Sequence, residues 1–446
     1  MDAGASEVSQ LSAQRLPIRV VGGFALGSVA TGVFATVPTV LLLYYATEVL
    51  GIAPIWASMA LLAPKITGIV WDPLIGRWSD RTRTRLGRRR PFLLAGAIGV
   101  PIAFVALFSV PVAGRLATGL IMAGAYFAMN AAYSLYAVAY IAVPAEISVL
   151  PRERERLLTW RMALVMIGVL LGAGLSPHLI TWGGGGRQGY AFMSAIVSAA
   201  AAVAMLGAFA SIRNYDGALT AVSSASATGT DLRRVLSHRA YTRLLSAYIL
   251  QATALGLLSA GTPYLIAAVL GKPSQESGTA LGAMLLVSIL AMPFWGWLIR
   301  RMRGSLALGW AAGVYAALSM ALWLLVPSDG SAGILGIYAL LGVPFAGLQL
   351  VPYILLAHIA NTDARTHGGG REGLFTGVWM AGEKLGLALG PTLVGLGLWA
   401  SGHVAGAVRQ SNGTIHDIHL MTAFGPALLL LASALVLPRT PMNVTR

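Results

Sequence analysis

Residues 92–112, FLLAGAIGVPIAFVALFSVPV, contain no charged side chain. A helix that crosses a hydrocarbon core of about 30 Å needs about 20 apolar residues. Runs that meet this need fall near 20–48, 54–78, 92–112, 116–147, 158–181, 189–212, 241–270, 277–299, 305–326, 334–359, 373–400 and 418–437. They predict an all-α membrane protein with twelve transmembrane helices. The chain is 57% hydrophobic and 11% charged, roughly half the charge of a soluble domain. The polar opening, MDAGASEVSQLSAQRLPIR, lacks the charged start, short apolar core and cleavage site of a signal peptide. With no cysteine, thiol and disulfide chemistry is excluded.

The net charge of +15 would suit nucleic acid on a soluble basic face. Here the arginines sit in short loops between apolar runs, so no nucleic-acid partner is expected. Six of them, Arg81, Arg83, Arg85, Arg88, Arg89 and Arg90, follow span 2. Others follow spans 4, 6, 8 and 10, and the alternate loops hold little beyond Arg115, Arg187, Lys272 and Arg409. The positive-inside rule puts both termini in the cytoplasm of a multi-pass cell-membrane protein.

The longest internal polar stretch, 213–240, is rich in Ser, Ala and Thr and reads as a flexible linker. The expected organisation is a tail at 1–18, a six-helix bundle at 19–212, the linker, a second bundle at 241–437 and a tail at 438–446. The bundles share a faint repeat. PLIG at 73–76 and PFWG at 293–296 each close a span at an offset of 220; RERLLT at 154–159 and REGLFT at 371–376 each open one at 217. Two matches at nearly one offset indicate a duplicated unit. Two six-helix bundles with pseudo-twofold symmetry and a substrate site between them describe the major-facilitator fold. A monomer suffices for it.

The stretch LGIAPIWAS…PKITGIVWDPLIGRWSDRTRTRLGRRRPFLLAGA (50–97) resembles the helix 2–loop–helix 3 signature of the glycoside–pentoside–hexuronide:cation symporters, and SDR at 79–81 with GRRRPF at 87–92 is similar to their sucrose–proton branch. VPAEIS…RERERLLTWR (143–161) and FTGVWMAGEKLGLALGP (375–391) resemble the family's helix 4–5 and helix 11 segments. The resemblance implies secondary transport of sugars with protons or sodium. Melibiose-type members use two helix 2 carboxylates and one in helix 4 for the cation, and a helix 1 aspartate for the sugar. Asp72 matches one helix 2 position. The others fall at Gly68, Tyr136 and near Gly32, and the sucrose branch's helix 4 acid falls at Asn130. These departures favour a proton over sodium. Arg161 matches the family's helix 5 arginine.

Charges within a span are costly, and function is their default reading. Lys65 and Asp72 lie in span 2, Glu383 and Lys384 in span 11; all four are candidates for ion coupling, or else static packing pairs. Asp72 is the candidate proton carrier, because burial and a nearby lysine act oppositely on a carboxyl group. The chain carries no metal-ligand motif and is expected to use no cofactor. Tyr126, Asn130, Tyr133, Tyr136 and Tyr140 recur at helical spacing on one face of span 4. That face is read as a sugar-stacking cavity wall, the alternative being helix packing. Arg161, Gln251, Tyr264, Gln349, Tyr353 and Trp379 are the further candidates for a neutral, hydrogen-bonding pocket.

Gly76, Asp80 and Arg81 form a stretched version of the major-facilitator G-x-x-x-D-R loop; with Glu146 they are the candidate cytoplasmic gate. The arginines can also bind anionic headgroups of the bilayer. No P-loop or nucleophile elbow is present. A membrane enzyme would have to rest on His358, His367 and Asp363. The expected function is proton-coupled symport of a sugar-like small molecule by alternating access. Alternatives are an amphiphile such as a lysolipid or hydrophobic glycoside, export of a small metabolite, or substrate sensing without transport.

Overall fold

The computed structural model describes residues 15–84, 86–111, 114–148, 150–213, 229–327, 330–367, 372–407 and 409–437. Residues 1–14 of the expected tail at 1–18, the expected tail at 438–446 and the linker segment 214–228 lie outside the described residues, as does Arg371 of the second repeat match. The described residues form no strand; a lone bridge joins Thr84 and Gly87.

Among the described residues fourteen helices follow in chain order: α1 Ile18–Val37, α2 Pro54–Arg81, α3 Arg90–Phe108, α4 Arg115–Ile147, α5 Pro151–Leu170, α6 Ser176–Trp182, α7 Gly186–Ser211, α8 Gly229–Ser237, α9 Arg239–Tyr264, α10 Glu276–Ile299, α11 Gly304–Ala321, α12 Ser331–His367, α13 Glu372–Ala400 and α14 Asn412–Val436. A π-turn, Leu171–Leu175, joins α5 to α6, so the two make one span. The short α8 falls inside the segment expected to be a flexible linker.

Eleven of the twelve expected spans are long and apolar enough to cross a membrane. The remaining one, α13, has 29 residues, about 43 Å at 1.5 Å per residue. Its length is ample; the Glu383–Lys384 pair and its glycines lower its apolarity. Proline opens α3 and α5, where its missing N–H would be unpaired anyway. Ser411 caps α14 by accepting from the Thr414 amide at 3.1 Å.

The chain divides into two compact units, with boundaries after Pro38, after Leu62 and within 214–228. The first unit holds α1, the part of α2 from Ala63, and α3–α7. In it α1 packs on α5 and α7, and α3 on α4 and α7. The second holds α8–α14 together with residues 39–62. In it α9 packs on α13 and α14, and α11 on α12 and α14. These four pairings correspond between the units, so the repeat seen faintly in sequence recurs in the packing; the second unit also packs α10 on α12.

The two corresponding crossings, α1 on α5 and α9 on α13, share one device. A Cβ on Gly32 or Gly168 would collide with the facing backbone at Val165 or Val29, and one on Gly390 would collide with Gly256. Bare backbones let the helices meet closely, which is how helices associate in lipid.

Candidate functional site

In the second unit, α13 presents Trp379 and Glu383 on one face, four residues apart. The Tyr353 hydroxyl of α12 donates to Glu383 Oε2 at 2.7 Å, and the Tyr248 hydroxyl of α9 faces the same carboxylate. Tyr248 stacks on Trp379 with centroids 4.3 Å apart and planes at 17°. Tyr353 stands edge-on to both, 6.0 Å from each. Trp379 is fully buried. The result is an aromatic cage around a carboxylate within a span.

The cage unites Tyr353, Trp379, Glu383 and Lys384 and adds Tyr248, which the sequence reading missed. A tyrosine in an apolar run carries no signal until its partners are known. Gln251, one turn along α9 from Tyr248, is buried; its amide donates to Ser433 Oγ at 3.2 Å, and its Oε1 has no hydrogen-bond partner among the described residues. Gln349 is half-buried, about one turn before Tyr353. Tyr264 is elsewhere: sixteen residues past Tyr248 is about 24 Å along the helix, and its hydroxyl meets Thr47 Oγ1 at 2.6 Å.

In the first unit, Tyr136 and Tyr140 of α4 are wholly buried against α1. Tyr140 stacks on Phe24 at 4.4 Å and on Tyr136 at 5.1 Å. Its hydroxyl bonds Ser28 Oγ at 2.8 Å and donates to the Phe24 carbonyl. Tyr133 donates to the Thr31 carbonyl at 3.4 Å, and Asn130 to the Tyr126 carbonyl at 2.8 Å. Much of the tyrosine face is thus helix packing. Two atoms differ: Tyr136 Oη and Arg161 Nε are buried with no hydrogen-bond partner among the described residues. Arg161 also lies over the Tyr140 ring, 5.6 Å from its centroid. Buried polar atoms without protein partners are costly, so these two are the first unit's best candidates for a ligand. Lys65 and Asp72 are both half-buried on α2, close enough to interact electrostatically.

Around Gly76 and Arg81, α2 continues unbroken through the candidate gate despite Pro64 and Pro73. Arg81 is exposed. Arg89 and Arg90, only 7% and 8% exposed, fold back: Arg89 donates to Ser79 Oγ at 2.7 Å, and Arg90 lies 4.4 Å over the Phe209 ring. The side chains of Asp80, Glu146 and His367 lie outside the described residues. His358 and Asp363 lie near the end of α12.

The sequence reading also passed over Glu48. Its Oε1 sits 2.7 Å from His403 Nε2 in the second unit. A carboxylate at the end of span 1 was itself the available signal, by the rule applied to Asp72 and Glu383.

The family described as MFS/sugar transport protein matches residues 23–444. The chain is 23% identical to the inner membrane symporter YicJ of Escherichia coli, over 96% of this chain and 93% of that one. It is 25% identical to the isoprimeverose transporter of Lactiplantibacillus pentosus, over 91% and 84%. It is 21% identical to the sphingosine-1-phosphate transporter MFSD2B of Xenopus tropicalis, over 94% and 87%. Among solved structures, a D-xylose–proton symporter aligns with a TM-score of 0.71 at 14% identity, covering 96% of this chain and 98% of that one. The chain belongs to the MFS/sugar transport family and has the major-facilitator fold. It is a multi-pass membrane transporter and not an enzyme.

Proposed function

We propose that this member of the family is a proton-coupled symporter of a neutral sugar or glycoside, working by alternating access in the cell membrane with both termini cytoplasmic. One observation carries the reading: a buried tyrosine–tryptophan platform stands beside a carboxylate–lysine pair in α13. Aromatic faces offer a sugar ring an apolar surface, and their polar edges offer hydrogen bonds. The YicJ and isoprimeverose relatives, a symporter and a sugar transporter by name, support the class.

In this reading the substrate lies against Trp379 and Tyr248, with Gln251 Oε1 as a free polar atom to meet its hydroxyls. Asp72 carries the proton, and the Glu383–Lys384 pair responds to occupancy. Among the described residues no group of three His, Asp or Glu could hold a metal ion. A hard cation wants several oxygen ligands, so the proton suits the donor set better.

A second reading, an amphiphile, is favoured by likeness to a sphingosine-1-phosphate transporter. It also fits the loss of the sugar-clamping acid near Gly32. The deciding experiment uses purified protein in liposomes with an imposed pH gradient and an internal pH dye. Neutral glycosides are added singly, then lysolipids. Proton movement with a glycoside is expected. Movement with lysolipids alone overturns the sugar reading, and none with either, in folded protein, overturns symport.

A further inference from the structure

Residues 39–62 present a puzzle. They connect α1 to α2, yet they belong to the second compact unit, while the chain on either side belongs to the first. Both crossing points carry a backbone fault. Pro38 opens a π-turn, Pro38–Leu42, and Pro64 lies inside α2 one residue past the second boundary. Proline removes a helical hydrogen bond and crowds the preceding turn, and π-turns mark local adjustability. The segment is therefore a clip on two weak points.

Polar contacts at its tip seat the clip in the second unit. Glu48 Oε1 meets His403 Nε2 at 2.7 Å, with side chains 19% and 2% exposed. Thr47 Oγ1 meets Tyr264 Oη at 2.6 Å. The Tyr264 ring stands edge-on to both Tyr44 and His403, at 5.1 and 5.9 Å. Behind the tip, Gly395 leaves room for Ser58 of α2. The tip lies at the end of α2 opposite the arginine-rich 81–90 loop. Hydrogen bonds of this kind can be exchanged for water, unlike an apolar seam. His403 Nδ1 is buried and has no hydrogen-bond partner among the described residues, so the imidazole is held chiefly through Glu48.

The duplicated half shows that the carboxylate is an addition. Val49-Leu50-Gly51 and Val269-Leu270-Gly271 stand 220 residues apart, and both end a span alike. The Leu50 amide donates to the Tyr45 carbonyl at 3.0 Å and Leu270 to Leu265 at 3.1 Å. Ile52 donates to Ala46 at 2.9 Å and Lys272 to Ile266 at 3.0 Å. Gly51 and Gly271 take φ of 67° and 63°, where other residues are strained. The position that repeats Glu48 is Ala268. The span ending needs no acid; one half has it, and it points at a histidine.

The geometry points to Glu48 and His403 as a latch that holds the 39–62 clip onto the second unit and must release for the protein to open on the side away from its arginine loops. The chain has no cysteine, so Ala53→Cys and Val404→Cys, both at exposed positions, give two spin-label sites without background. The test is the label–label distance distribution by pulsed electron resonance in lipid. The parent should show a dominant short distance. Glu48→Ala and His403→Ala should each move weight to longer distances, and the double variant no further than either. Glu48→Gln, of nearly the same volume, guards against a folding artefact and should shift weight partway. A distribution unchanged in Glu48→Ala and Glu48→Gln overturns the latch. The measurement reads where the clip lies and needs no substrate, so it stands or falls separately from the sugar reading.

Discussion

Tyr353 and Glu383 show how much a single hydroxyl can decide. Tyr353→Phe keeps the ring against Trp379 and deletes the donor to a desolvated carboxylate. A buried group left unsatisfied costs about 1–3 kcal/mol, so a lowered melting temperature and a larger loss of flux are expected together. An unchanged melting temperature would mean that Tyr248 or water carries Glu383 unaided. Asp72→Asn should abolish pH-driven uptake and keep substrate exchange; uptake that still follows the pH gradient removes the proton-carrier role. Lys384→Ala should impair transport in protein that still folds, and normal flux would demote it to packing. At this scale the sequence showed the costly residues, because a charge in an apolar run is visible by itself. It did not show that Tyr353 is the partner of Glu383, or that Tyr264 is about 24 Å from the cage. Those depend on which faces α9, α12 and α13 turn to one another.

Among the helices, glycine spacing sets how near two backbones come. Gly390 leaves no room for a Cβ beside Gly256, whereas Gly377 on the same helix has nothing within 4 Å of a Cβ. Gly390→Leu should therefore destabilise by at least the ~1–3 kcal/mol typical of overpacking, and Gly377→Ala should be neutral or mildly stabilising. Thermal unfolding in detergent separates them; equal effects would mean the α9–α13 crossing yields more easily than its backbone contact implies. Such crossings are half legible. Glycine-rich runs announce that some helix comes close, and the pairing of Gly256 with Gly390 appears only in the packed unit. The tyrosine row on α4 is a similar case. Its helical spacing placed Tyr133, Tyr136 and Tyr140 on one face, but period alone could not say that Tyr136 and Tyr140 are enclosed by α1.

For the whole chain, the duplicated packing is the main finding. Spans 1, 3, 4, 5 and 6 of the first unit and 7, 9, 10, 11 and 12 of the second make corresponding contacts, although only a few short sequence matches betray the repeat. Packing of this kind tolerates wide change of side chains if glycine stays at the crossings. The 14% identity to a D-xylose–proton symporter of the same fold shows how far side chains vary while the fold is kept.

The sequence by itself determined the membrane-spanning character of the helices and the arginine bias of alternate loops, because lipid imposes length and apolarity on every span separately. It also determined which residues are expensive enough to demand a role: Lys65, Asp72, Glu383 and Lys384. Only the tertiary structure decided the partners. It caged Glu383 with Tyr353 and Trp379 and folded Arg89 and Arg90 back onto the protein. It also set Glu48 against His403, 355 residues away. Spans are local free energies of single helices in lipid, whereas partners are contacts between faces, and no one-dimensional pattern records which faces meet.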